Sequence, residues 1–244
     1  MRRSADELMD FGLLRQGRGA TRMVRTMKET LWVLLRGKAE VRSAAGQVVL
    51  QRESIFDEPP TALHAGAGEA VELRALSSGT EWAVIAATNP RLRGVRVYRT
   101  EDVGNEDRGA GLVQDACRRT VRTIFDYSSR PDSQLVVGEV VNRAGRWSSY
   151  PPHHHAQPEV YHYRFTAPQG YGHAELGESV VKVRQGDTTL IPGGLDHAQV
   201  AAPGYGMYYL WIVRHLPRRP YRGFTFTKEH RWLLDPREQG WAPA

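Results

Sequence analysis

Short runs rich in β-branched and aromatic residues, each closed by a cluster of Gly, Pro, Ser, Asp or Asn, recur along most of this chain of 244 residues. In the first half, LWVLLRGKAEVR (31–42) carries two such runs around Gly37. QVVLQRESIF (47–56), AVELRAL (70–76) and EWAVIAA (81–87) follow, separated by SAAG, DEPP, AGAGE and SSGT. β-Branched and aromatic side chains fit a pleated, half-buried surface, and the intervening residues supply the backbone angles of turns. The spacing predicts many short strands, which close into a barrel or jelly roll. A second series starts at LVVGEVVNRAGRWSSY (135–150) and runs through EVYHYRFT (159–166), SVVKVRQGDTTLIP (179–192) and YGMYYLWIVRHL (205–216). The two series read as one architecture used twice, without a residue-level repeat.

The stretch 88–115, rich in Arg, Gly, Asp and Asn, reads as a linker. The expected division is a divergent N-terminal segment over 1–28, a first barrel with its linker over 29–115, and a second barrel over 116–244. Helices are few. SADELMDFGLL (4–14) is the best helical candidate, with Ser4 as cap and Glu7 completing a capping box; a disordered tail is the alternative there.

Composition excludes several classes. A single cysteine, Cys117, rules out an internal disulfide and any CxxC site, and suits a reducing cytoplasm. No run approaches the ~18 apolar residues of a membrane helix. The start of the chain is basic but lacks the apolar core of a secretory signal. The formal net charge is +6, yet the arginines are scattered, densest in CRRTVR (117–122) and RHLPRRPYR (214–222). That distribution points to solvated arginines with one or two anion-binding residues, and not to a nucleic-acid surface.

The chemistry concentrates in YPPHHHAQPEVYHYRF (150–165). Residues two apart on an extended strand share a face, so His153, His155 and Glu159 would project together, with His154 opposite. GDTTLIPGGLDH (186–197) reads as a strand, a tight turn at Gly193–Gly194 and then His197. Three imidazoles and a carboxylate suit one divalent ion: zinc, manganese, iron or nickel. On an octahedral ion two positions would stay open for water or for adjacent oxygens of a sugar. Tyr161 and Tyr163 share the parity of Glu159 and are the candidates to relay a proton or hold a hydroxyl; Tyr208 or Tyr209 is a weaker one. Arg119 is the first candidate to pair with a substrate carboxylate, ahead of Lys182 and Arg146.

The two segments resemble the paired motifs of the cupin superfamily. H-x-H-x3-E is carried by His153, His155 and Glu159, and the second motif by Gly186, Pro192, Gly194 and His197. The flanks WSSYPPH, EVYHYRF, RESIFDEPPTAL and RTVRTI resemble the bicupin isomerases of the KduI/IolB type, the 5-deoxy-glucuronate isomerase family. That resemblance covers about residues 30–233. It implies an all-β fold of two cupin (jelly-roll) barrels, with metal in the second only. The first half agrees, since it holds one histidine, His64, and no H-x-H. GGLDHAQ departs from the family pattern, with one extra residue before the histidine and an aromatic missing.

The implied activity is an aldose–ketose isomerisation of a small sugar acid. A proton leaves the carbon beside a carbonyl and returns to its neighbour, with negative charge developing on two adjacent oxygens. A cupin dioxygenase would use the same ligands, and a non-catalytic sugar-binding cupin would bind without turnover. Neither nucleic acid nor membrane is an expected partner. Exposed sheet edges leave room for a homo-oligomer.

Overall fold

The computed structural model describes residues 2–3, 9–241 and 243. The expected all-β class holds: strands carry the chain, and the helical elements among the described residues are two 3-10 segments, Thr100–Asp102 and Lys228–Leu234. No helix is long and apolar enough to cross a membrane. The chain forms two compact units, Met1–Gly104 with Ile124–Val136, and Asn105–Thr123 with Val137–Ala244.

In the first unit the organising element is the 15-residue strand Glu29–Ser43. Its first half pairs with Thr80–Ala87 and Ala62–Ala65, its second half with Gly46–Arg52 and Ala70–Ala75. The bend between the halves shows as a register shift at Leu34/Arg36. Gly37 makes it feasible: its φ is +101, and a Cβ there would stand 2.8 Å from the Thr80 backbone. Trp32, Leu34, Val41, Leu63, Leu73 and Trp82 fill the barrel between the halves.

Two expectations need correction. Ser4 and Glu7 lie outside the described residues, but Met9–Gln16 is a strand and not a helix. It pairs along its full length with Thr80–Ala87. That ladder satisfies its backbone across the sheet, which outweighs local helix propensity. The presumed linker also contains structure, since Val95–Tyr98 pairs with Ala62–Ala65.

A buried polar knot lies in this unit. Glu29 is fully buried and receives His64 Nε2 at 2.8 Å, Asn89 Nδ2 at 2.7 Å and the Gln134 amide at 2.9 Å. The Ser133 hydroxyl donates to it at 2.5 Å. His64 stacks on Phe125 at 4.7 Å. Burial raises the Glu29 pKa, but the bonds from His64, Ser133 and Gln134 more than offset this and hold it below the usual carboxylate range.

In the second unit, the run 135–150 divides at a turn into Leu135–Asn142 and Trp147–His154. The first joins a six-stranded sheet with Glu106–Arg108, Arg119–Phe125, Met207–Arg214, Glu159–Phe165 and Thr188–Ile191; the second joins a five-stranded sheet with His197–Ala201, Tyr171–Leu176, Ser179–Arg184 and Thr225–Phe226. Tyr161, Tyr163, Phe165, Met207 and Tyr209 meet Ala174, Val183 and Ala201 in the core between them. His153 and His154 close the strand Trp147–His154 at one end of this barrel.

A Glu29→Gln variant is expected to lose about 2–3 kcal/mol of unfolding free energy, the scale of a buried charged hydrogen-bond network left mismatched. Because the Glu29 pKa is lower folded than unfolded, its contribution is present above the unfolded value and lost as pH falls through the folded one. Denaturant melts of both proteins between pH 7 and pH 3 check this: the gap should close on acidification.

Candidate functional site

Three pieces of chain build the site. Trp147–His154 delivers His153, residues 155–158 turn, and Glu159 opens the strand Glu159–Phe165. The one-strand parity expected for His153, His155 and Glu159 is thus replaced by a strand end, a turn and a strand start. His197 opens the next strand and lies in register opposite His153. Its approach depends on two glycines. Gly194 has φ +90 and donates its amide to the His155 carbonyl at 2.7 Å. Gly193 leaves room for the Ala156 carbonyl, which a Cβ would strike.

The ligand atoms of His155, Glu159 and His197 lie within 4.8 Å of one another, and all three residues are buried. Glu159 Oε2 is 3.0 Å from His155 Nε2 and 3.4 Å from His197 Nε2. His153 stands beside this trio and outside the 4.8 Å group, its ring 4.4 Å from that of His197 and 6.5 Å from that of His155. Backbone carbonyls set the tautomers. His153 Nδ1 donates to Ser149 O at 3.2 Å, and His197 Nδ1 to Leu195 O at 3.1 Å. Each bond leaves Nε2 with its lone pair, the arrangement metal-bound imidazoles adopt. His197 Nε2 and His155 Nδ1 are buried without a hydrogen-bond partner.

Electrostatics favour a cation here. Burial pushes the Glu159 carboxyl up, but His155 and His197 pull it down to about 2, so it is anionic at neutral pH. Burial and the neighbouring His197 lower His153 to about 3, so it is neutral. Burial lowers His197, but the Glu159 carboxylate overrides this and raises it. A buried anion, a neutral imidazole and ring nitrogens without a hydrogen-bond partner fit a divalent ion, and the donor set is the one such ions take.

Beyond the imidazoles the barrel interior is aromatic. The Tyr161 ring lies 6.1 Å from that of His197 and stacks on Tyr209 at 4.6 Å. Ser149, whose φ of 53 is rare for a residue with a side chain, places Oγ 3.4 Å from Tyr161 Oη and 3.1 Å from Tyr209 Oη. Tyr163 donates to Gln199 Oε1 at 2.8 Å and lies 3.0 Å from Thr189 Oγ1, so its hydroxyl is already engaged. Burial lowers Arg119 from its usual very high pKa, while Tyr209 and Tyr161 raise it. Its guanidinium donates to Cys117 O at 2.8 Å, and no carboxylate pairs with it among the described residues. The weaker candidates fall elsewhere. Arg146 and Lys182 are exposed, Lys182 lying over the Tyr171 ring, and Tyr208 donates to Glu139.

Sequence reasoning missed Ser149, Tyr221 and Phe224. Phe224 lies 4.1 Å from the His153 ring and Tyr221 meets the His155 ring edge-on at 4.9 Å. Both come from the segment after RHLPRRP, where no periodic signal marks them. The positive φ of Ser149 leaves no trace in residue type.

A model of the KduI/IolB family matches residues 1–233. A 5-deoxy-glucuronate isomerase of Geobacillus thermodenitrificans is 30% identical over 249 aligned positions, covering 94% of this chain and 87% of that protein. Another from Geobacillus kaustophilus is 31% identical over 227 positions, covering 85% and 79%. The crystal structure of an IolB-like protein from Salmonella typhimurium matches with a TM-score of 0.83 at 27% identity, covering 94% of this chain and 91% of that one. An oxalate decarboxylase of Lactobacillus farciminis, at TM-score 0.66 and 14% identity over 93% of this chain and 80% of that one, shares the fold.

Loss of an outer partner of a metal ligand costs about 10–100-fold in affinity, so Glu159→Gln is expected to weaken divalent-metal binding by at least ~100-fold. Competition with a chromogenic chelator measures this, and an unchanged affinity would remove Glu159 from the donor set.

Proposed function

The chain belongs to the KduI/IolB family, and on that premise we propose that it is a metal-dependent ketol-isomerase that converts 5-deoxy-glucuronate to 2-deoxy-5-keto-gluconate in the cytoplasm. The observation that carries this reading is the buried Glu159 carboxylate among three imidazoles at one end of an aromatic barrel, with the Arg119 guanidinium, which has no carboxylate partner among the described residues, within electrostatic reach of the same tyrosines. His155, Glu159 and His197 would hold the ion, with His153 as fourth ligand, and zinc, manganese, iron or nickel suits that set. When bound, a divalent ion supplies Lewis-acid polarisation of adjacent oxygens where negative charge develops. The first barrel has no counterpart of this donor set among the described residues.

The substrate has its aldehyde and its carboxylate at opposite ends. Placing the reacting end at the histidines directs the carboxylate along the tyrosines toward Arg119, whose guanidinium offers two parallel donors. Burial and the Glu159 charge keep the Tyr161 phenol well above its usual pKa, so it stays protonated at neutral pH. It therefore acts as a donor that holds a proton toward an oxygen gaining charge, a form of stabilisation that costs no reorganisation in a water-poor pocket. Tyr163, tied to Thr189 and Gln199, supports Tyr161 from behind and positions it.

The test is turnover of 5-deoxy-glucuronate by metal-loaded protein, followed by NMR with and without oxygen. The expected result is isomerisation without oxygen uptake. His197→Ala should lower kcat at least ~1000-fold, and Arg119→Gln should act mainly on KM, by about 10–100-fold, as loss of a uniform binding contact does. Oxygen consumption, binding without turnover, or full activity in metal-free His197→Ala would contradict the proposal.

A further inference from the structure

The first barrel contains a cavity of about 490 Å3. Gly12, Leu14, Val24, Trp32, Val84 and Ala86 form its apolar walls. Three of the strands that line it, Met9–Gln16, Thr80–Ala87 and Glu29–Ser43, pair in the order in which Leu135–Asn142, Met207–Arg214 and Glu159–Phe165 pair in the second unit. The cavity thus lies against the strand that answers, in the first unit's own topology, to the one Glu159 opens in the second. The residue types there have changed: Thr30 and Trp32 line the start of the long strand, where Glu159 and Tyr161 stand in the second unit.

The polar groups on its wall are mostly satisfied within the protein. Lys28 Nζ pairs with Asp10 at 2.6 Å. Thr26 Oγ1 donates to Gly66 O at 2.5 Å, and Thr30 Oγ1 to Lys28 O at 3.0 Å. Two cations remain. Arg22 and Arg25 line the cavity and have no acidic partner among the described residues. Arg22 lies in register opposite Leu73, and Val24 opposite Val71; both partners are buried core residues, so Arg22 rises from the inward face of the sheet. Apolar walls that offer no free hydroxyl partner, below a cation on the inward face, do not suit a polyhydroxylated sugar. They suit a ligand with an apolar body and one negative end, in the mouth of a barrel, a usual place for small-molecule sites.

We propose that the first barrel is a metal-independent binding site for a small amphipathic monoanion, such as an aliphatic carboxylate, with its chain against Trp32, Leu14 and Val84 and its charge on Arg22.

Calorimetric titration of the full chain with octanoate tests this, with octanol as the uncharged control. Octanoate should bind with Kd below about 1 mM and octanol at least about tenfold more weakly, the share of affinity carried by one charge-assisted contact. Arg22→Gln, at an exposed position, should bring octanoate down to the octanol value. Val84→Trp, which fills the cavity, should abolish binding of both while thermal unfolding stays cooperative. His197→Ala should leave octanoate binding unchanged, which separates this site from the metal-ligand cluster. Equal binding of octanoate and octanol, no heat up to about 10 mM, or loss of binding in His197→Ala would overturn the proposal.

Discussion

A carboxylate buried in a barrel must find positive charge or give up its own. Glu159 is 3% exposed and remains ionised, so the segments around it are arranged to answer that one charge. The turn at 155–158 returns His155 to it. The glycine turn brings His197 against the same oxygen, and carbonyls of Ser149 and Leu195 fix the imidazoles that face it. Removing the charge would leave buried imidazole nitrogens with nothing to face, whereas a divalent cation would satisfy the carboxylate and the imidazoles at once.

The first unit shows the other solution to the same problem. Glu29 is equally buried, but His64, Ser133, Asn89 and the Gln134 amide take up its acceptor capacity, two donors on each oxygen. Nothing is left over for a ligand, so this carboxylate is a structural tie. Glu159 instead meets two imidazoles at one oxygen, with unpartnered nitrogens beside it. The contrast separates two barrels of similar topology: one uses its buried acid as a structural tie, and the other leaves it facing the imidazoles of the proposed metal site.

Much of this was legible in residue order because it is local. The spacing of His153, His155 and Glu159, and the glycines ahead of His197, place ligand types at distances that survive the difference between the expected extended strand and the observed turn. The short strands and their turns also declared themselves by composition. What depends on distant pairing did not. Met9–Gln16 has helix-compatible residues and is a strand because Thr80–Ala87 lies beside it. Arg119, Arg146 and Lys182 are equivalent as letters, and only burial and register separate the first from the exposed pair. Tyr161 and Tyr163 share a face, yet one hydroxyl is tied to Thr189 and Gln199 and the other lies nearer the histidines. Tyr221 and Phe224 reach the site from a segment with no periodicity to mark it.

The most direct measurement is anomalous X-ray diffraction from crystals of the protein loaded with zinc or manganese. This account predicts one strong peak about 2.0–2.2 Å from His155, Glu159 and His197, with His153 completing the set. A peak elsewhere, or none at that centre in metal-saturated crystals, would contradict it.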